Sequence, residues 1–306
     1  MLGYMRETLL PSPEFEKLYA AMSAQPRIIA TEEEHLSRLT AVRAGMERAA
    51  SRNQLPGGMV VSTVEGAPLA AELLTPQKSN DRRIILYLHG GAFTFGSIAS
   101  HRHVAAWLAE TAGCPAIIVD YPLAPEHPFP AAPNAILSFY NWVAGLPAAV
   151  ALAGDSAGAT LALVTAMAAE RAPLALCALS PTVDLAAFFV DSGSNTDPSL
   201  DEGTINWAFR SYLGPNDPSH PRISPINGDL DRLPKTFVQY AKAEVFAPAA
   251  ERFVGKLQAS GCKVTTDAWP DMFHAWQWFA PRLPEAREAL VRAGMFLLDA
   301  FEERDV

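Results

Sequence analysis

The chain has 306 residues and a mass of 33.0 kDa, about two domains at ~150 residues each, although α/β folds of this size are often one unit. Hydrophobic residues make up 49% and charged residues 19%, which supports a large core and excludes disordered, collagenous and disulfide-scaffold classes. The 24 Lys+Arg against 33 Asp+Glu give a formal net charge of -9 and a pI near 5.3, which opposes phosphate backbones and anionic lipid surfaces and argues against nucleic acid as a partner.

In chain order, the opening MLGYMRETLLPSPEFEKL sets charges into every turn and lacks the apolar stretch of a signal peptide. No window holds ~18 uncharged apolar residues, so a cytoplasmic protein without a membrane span is expected. Residues 1 to about 55 read as helices. Phe15, Leu18, Tyr19 and Met22 recur at three and four, as do Leu36, Leu39, Val42 and Met46 after the capping-box pattern Thr31 to Glu34. After Pro56-Gly57-Gly58 the period changes: MVVSTVE (59–65) and LAAELL (69–74) read as paired strands. Near-continuous apolar runs follow at 84–88, 116–119, 149–154, 174–179 and 236–241. Such runs suit parallel strands covered on both faces. Helical patterns alternate with them at 101–112, 131–145, 157–171, 246–260 and 284–302, the signature of an α/β fold. Residues 184–233 break the alternation and carry one amphipathic helix around 204–213. An insertion of this size beside a parallel sheet is more often functional than idle, and with the N-terminal helices it is a candidate lid over the carboxyl edge. Cys114, Cys177 and Cys262 form no Cys-x-x-Cys pair and no His lies at zinc-site spacing, so free thiols and no metal are expected.

Chemistry gathers at three points. Gly154-Asp155-Ser156-Ala157-Gly158 lies between an apolar strand and an alanine-rich helix, the context a nucleophile elbow needs, and the helix N-terminus favours negative charge beside the serine. His89-Gly90-Gly91-Ala92-Phe93 directly follows the strand RIILYL, where glycines can turn backbone N–H groups into a cavity to hold an oxyanion. An elbow serine takes its base from further down the chain, which leaves His220 and His274. His220 sits between prolines inside the insertion, whereas His274, in Asp271-Met-Phe-His-Ala-Trp276, follows the last strand (CKVTTDAW), where a base reaches back to the elbow. The orienting carboxylate must fall between them at a strand end. Glu244 does, 88 residues after Ser156 and 30 before His274. Asp184 and Asp267 are its rivals; Asp271 and Asp155 are poorly placed to orient the ring. A serine hydrolase leads before any family is considered.

The same residues resemble the hormone-sensitive lipase family of α/β-hydrolases, bacterial esterases of that type, from about residue 60 onward. The resemblance rests on HGGAF (89–93), DYPLAPEHPFPAA (120–132), GDSAG (154–158), SPTVDL (180–185), DPSHPRISP (217–225), LPKTFVQYAKAEVF (233–246) and MFHAWQ (272–277). It implies an α/β-hydrolase fold with a mostly parallel eight-stranded sheet, N-terminal cap helices (1–55), a catalytic domain (56–306) with a cap insertion at about 184–233, and hydrolysis of carboxylic esters without a cofactor. By position it makes Ser156 the nucleophile, His274 the base, and Gly90, Gly91 and Ala157 the oxyanion donors. Residues 120–133 would brace the oxyanion loop. Ala92 replaces the third family glycine, whose role is to admit bulky alcohol groups; Pro122 replaces an arginine and Thr182 a tryptophan. Glu244 and Pro248 stand where the family often has two aspartates.

The expected substrate is a small neutral ester, since neither motif region offers a basic cluster, with short to medium acyl chains of roughly two to eight carbons. Trp207, Phe209 and Tyr212 of the insertion, with Phe93, are candidates to line the acyl pocket. An amidase, lactonase or acyltransferase would use the same acyl-enzyme, and a non-catalytic small-molecule receptor would share the scaffold but lack the histidine. If the last strand, near 262–269, is a sheet edge, it offers pairing across a twofold axis, giving a homodimer.

Overall fold

The computed structural model describes residues 11–25, 30–191 and 197–305. Among them, eight strands form one mixed, mostly parallel sheet: β1 (Val60–Thr63), β2 (Ala71–Thr75), β3 (Arg83–Leu88), β4 (Ala116–Val119), β5 (Ala149–Asp155), β6 (Ala175–Leu179), β7 (Lys235–Ala241) and β8 (Val264–Trp269). Their order is β1-β2-β4-β3-β5-β6-β7-β8. β1 and β2 run antiparallel, as does β2 against β4, and every pairing from β4 to β8 is parallel. The apolar runs become strands because both faces are covered: β4, β5 and β6 are buried along their whole length. β1 and β8 form the edges; β1 is exposed along its length and β8 is part-buried.

One face packs against α3 (Ile98–Ala112) and α9 (Pro284–Asp305), the other against α4 (Ala131–Ala144), α5 (Ala157–Ala168) and α8 (Ala247–Ala259). Cys114 and Cys177 are buried free thiols, and Cys262 is half-buried. Burial pushes Cys114 up to about 12 and Cys177 further in the same direction, so both remain protonated. No helix among the described residues is long and apolar enough to cross a membrane.

Four further helices lie outside these two layers. α1 (Pro13–Ser23) is tied to α9, since the Ser12 backbone N–H and hydroxyl donate to Glu285 at 2.6 and 3.0 Å. α2 (Glu32–Ala50) carries the capping box expected at Thr31 and Glu34. Of its expected apolar stripe, Leu39 is buried while Leu36 and Val42 are exposed. Arg43 of α2 donates to the carbonyls of Thr94 and Ala124 at 2.9 Å and pairs with Glu126 at 2.7 Å. Within the insertion, α7 (Glu202–Leu213) forms where the amphipathic pattern lies, and a short helix, α6 (Leu185–Asp191), precedes it. The periodicity did not reveal α6, because two turns are too short to set a pattern apart from an apolar loop.

Candidate active site

β5 ends in a sharp turn. Ser156 has φ 52° and ψ -119°, a backbone conformation that costs a non-glycine residue about 1–3 kcal/mol. It is held there by its own N–H, which donates to Leu179 O at 2.8 Å, and by α5, which starts at the next residue. The flanking glycines are a steric requirement of the turn. A Cβ on Gly158 would lie 2.0 Å from the Leu88 carbonyl oxygen, and one on Gly154 2.7 Å from the same atom. The elbow therefore packs directly on the end of β3, from which the oxyanion loop departs.

His274 lies in the loop after β8 and Glu244 in the turn between β7 and α8. The structure brings both to Ser156. His274 Nε2 is 2.8 Å from Ser156 Oγ, and His274 Nδ1 is 3.1 Å from Glu244 Oε2. The three side chains are almost fully buried. Phe246 packs its ring edge-on to the imidazole at 4.9 Å. Burial alone would lower the imidazole pKa, but the hydrogen bond and charge of Glu244, with the charges of Asp197 and Asp155, outweigh it and hold His274 above its ordinary value. The Glu244 carboxyl is pushed up by burial, against the opposing pull of His274.

The rival carboxylates lie elsewhere. Asp184 caps α6 through the Ala187 N–H at 2.9 Å and pairs with Arg252 at 3.2 Å. Asp267 accepts from Gln239 and Trp269 and pairs with Arg292 at 3.1 Å. His220 is exposed. His89 is buried, stacked on Tyr121 at 4.3 Å, and pushed down to about 3 by burial, so its ring stays neutral.

The loop after β3 corrects one expectation. The Gly90 N–H donates to Asp155 Oδ1 at 2.9 Å, and the same oxygen accepts from Tyr87 Oη at 2.5 Å. Gly90 is thus committed to a buried carboxylate and is not an oxyanion donor. Gly91 and Ala92, at φ 119° and 51°, are the residues of this loop that line the cleft with Ser156. Among the described residues, the N–H groups of Gly91, Ala92 and Ala157 donate to no protein acceptor. Ala92 occupies a left-handed conformation that a glycine would adopt without strain, which is a physical reason for a third glycine at this point in related loops.

The cleft above Ser156 measures about 510 Å³ and is mostly apolar. Three stretches of chain wall it: Met22 and Met46 from α1 and α2, Leu200, Ile205 and Phe209 from the insertion, and Trp278 and Phe279 after the histidine loop. Of the four aromatic residues expected to line it, Phe209 does so. Phe93 and Tyr212 stack on each other at 3.8 Å and are buried away from it. Trp207 stacks on His35 at 5.2 Å and faces a separate surface cleft between α2 and α7. Among the described residues, no group of three or more His, Cys, Asp or Glu side chains is arranged to hold a metal ion.

Residues 85–278 match the family model described as the alpha/beta hydrolase fold. An acetyl-hydrolase of Streptomyces hygroscopicus is 37% identical over 261 residues, 81% of this chain and 85% of its own. An esterase of Acinetobacter venetianus is 35% identical over 224 residues, 70% of this chain and 74% of its own. Among solved structures, an esterase from the bacterial hormone-sensitive lipase family superimposes with a TM-score of 0.84 at 31% identity, covering 96% of this chain and 100% of that one.

Proposed function

This chain belongs to the hormone-sensitive lipase family of α/β-hydrolases and is a carboxylic ester hydrolase, and from that premise we propose that it works through Ser156, His274 and Glu244. The observation that carries the reading is the continuous line from Glu244 Oε2 through the imidazole to Ser156 Oγ, at 3.1 and 2.8 Å. Ser156 Oγ attacks the ester carbonyl as its proton passes to His274 Nε2, and Glu244 holds the ring and faces the imidazolium that forms. The oxyanion is received by the N–H groups of Gly91, Ala92 and Ala157. The imidazolium then protonates the departing alcohol, and water repeats the sequence on the acyl-enzyme.

α1, α2 and the α6–α7 segment act as a two-part cap, residues 1–55 and 184–233, over one catalytic domain. The substrate is a small neutral ester with an acyl chain of roughly two to eight carbons, in keeping with a cleft inside the ~300–1,000 Å³ range of small-molecule sites. A p-nitrophenyl ester series run on the wild type and on Ser156→Ala tests both points. The variant should lose on the order of 10⁴ or more in kcat, and unchanged activity would overturn the assignment. An amide substrate and an added alcohol acceptor in the same series report whether amidase or acyltransferase activity accompanies hydrolysis.

A further inference from the structure

We propose that Asp197 is a positioning residue for the hydrolysis, holding the His274 peptide in place from the cap side and so linking the segment that contacts substrate to the base. The proposal rests on the roles given above to Ser156, His274 and Glu244. Asp197 is 2% exposed although it belongs to the insertion. Its Oδ2 accepts the His274 backbone N–H at 2.7 Å, and its Oδ1 accepts the Ser199 N–H at 2.9 Å and the Ser199 hydroxyl at 2.6 Å. The Ser199 hydroxyl, whose one proton goes to the nearer Asp197 oxygen, also lies 3.2 Å from the His274 carbonyl oxygen. The cap therefore holds the histidine at its peptide N–H, through Asp197. On the opposite side the next residue, Ala275, at φ 54°, donates its N–H to Ser180 Oγ at 3.1 Å.

Pro198, Ser199, Leu200 and Asp201 line the cleft itself, so whatever substrate does to this segment is passed to His274 through one residue. The charge has a second effect. Three carboxylates act on the imidazole: Glu244, from the turn after β7, by hydrogen bond and charge, and Asp155 from the elbow and Asp197 from the insertion by charge alone. All three favour its protonated form, while Asp197 and Glu244 repel one another. A displacement of the ring by about 1 Å can cost on the order of 10²-fold in rate, so a residue that fixes the histidine backbone has a large lever on turnover without touching substrate.

The test is Asp197→Asn and Asp197→Ala on p-nitrophenyl butyrate, with kcat expressed per serine titrated to completion by a fluorophosphonate. Asparagine retains an acceptor oxygen for the His274 N–H but removes the charge; alanine removes both. Asp197→Asn has one accepting oxygen where the carboxylate uses two, so it cannot keep both the His274 and the Ser199 bonds. It should lower kcat by about tenfold or more, leave KM within about threefold, and move the acid limb of kcat/KM to lower pH, because loss of a nearby negative charge lowers the imidazolium pKa. Asp197→Ala should be slower still; if it does not fold, Asp197→Asn decides alone. A kcat within twofold of wild type or an unmoved acid limb overturns the proposal, since a merely loosened fold would leave the limb where it was. Ser156→Ala assayed in parallel separates the two readings. Activity that survives there overturns the triad, whereas an inactive Ser156→Ala beside a wild-type-like Asp197→Asn overturns Asp197 only.

Discussion

At the scale of single residues, the site is a balance between burial and charge. His274 is buried yet held above its ordinary value by Glu244 and its neighbours. In the proposed mechanism its basic form is the working one, so activity is expected above the pKa of the free enzyme and is lost as pH falls through it. The acid limb of kcat/KM should therefore lie above the unperturbed imidazole value of 6.5, which a pH profile on a neutral ester checks directly. Glu244→Gln should cost on the order of 10³–10⁴ in kcat by removing the charge that faces the imidazolium. Asp184→Asn, which touches a helix cap and a half-exposed arginine, should cost about 1 kcal/mol of stability at most and leave turnover unchanged. The reverse ranking would move the acid role to Asp184. The convergence of Ser156, His274 and Glu244 was legible in the sequence because each follows a strand and their order along the chain suits an elbow serine. Gly90 was misread for a definable reason. Which N–H of a glycine pair faces the cavity depends on loop dihedrals and on a carboxylate 65 residues away, neither of which leaves a local trace. Asp197 was invisible for a similar reason, lying 77 residues before the peptide it holds.

At the scale of elements, the near-continuous apolar runs announced the five strands β3 to β7, because a sheet covered on both faces leaves its central strands apolar throughout. Helix faces were harder to assign. Trp207, Phe209 and Tyr212 share one helix, but their periodicity says only that they are buried, and tertiary packing sends Phe209 to the cleft and Tyr212 against Phe93. α2 has two polar anchors beside its buried Leu39 and Ala50: Arg43, and Glu47, which accepts from the Ser97 hydroxyl at 2.8 Å. Arg43→Ala removes bonds to two carbonyls, one of them Thr94 in the oxyanion loop. It should cost about 1–3 kcal/mol and lower kcat as well as the melting temperature. Glu126→Gln removes only the half-exposed ion pair and should cost less than about 1 kcal/mol. Thermal melts paired with initial rates on the two variants decide the ranking.

At the scale of the whole molecule, the cleft is closed by segments remote in sequence, so its capacity depends on how they pack together. A rate profile that peaks between about two and eight acyl carbons and declines beyond is expected of a cleft this size; a steady rise toward long-chain triglycerides would refute it. β8 is the terminal strand of the sheet among the described residues, the place a twofold partner would pair, and light scattering should give about twice 33.0 kDa if it is used in this way. The bond between the insertion and the histidine peptide also bears on heredity. A transplanted insertion would bring its own lining residues to the cleft. On the positioning role proposed for Asp197 it would also have to bring an acceptor for the His274 N–H, or the chimera would hold its base poorly. Selectivity and turnover would then be inherited as one unit, and chimeras cut on either side of residue 197 should differ in rate far more than in fold.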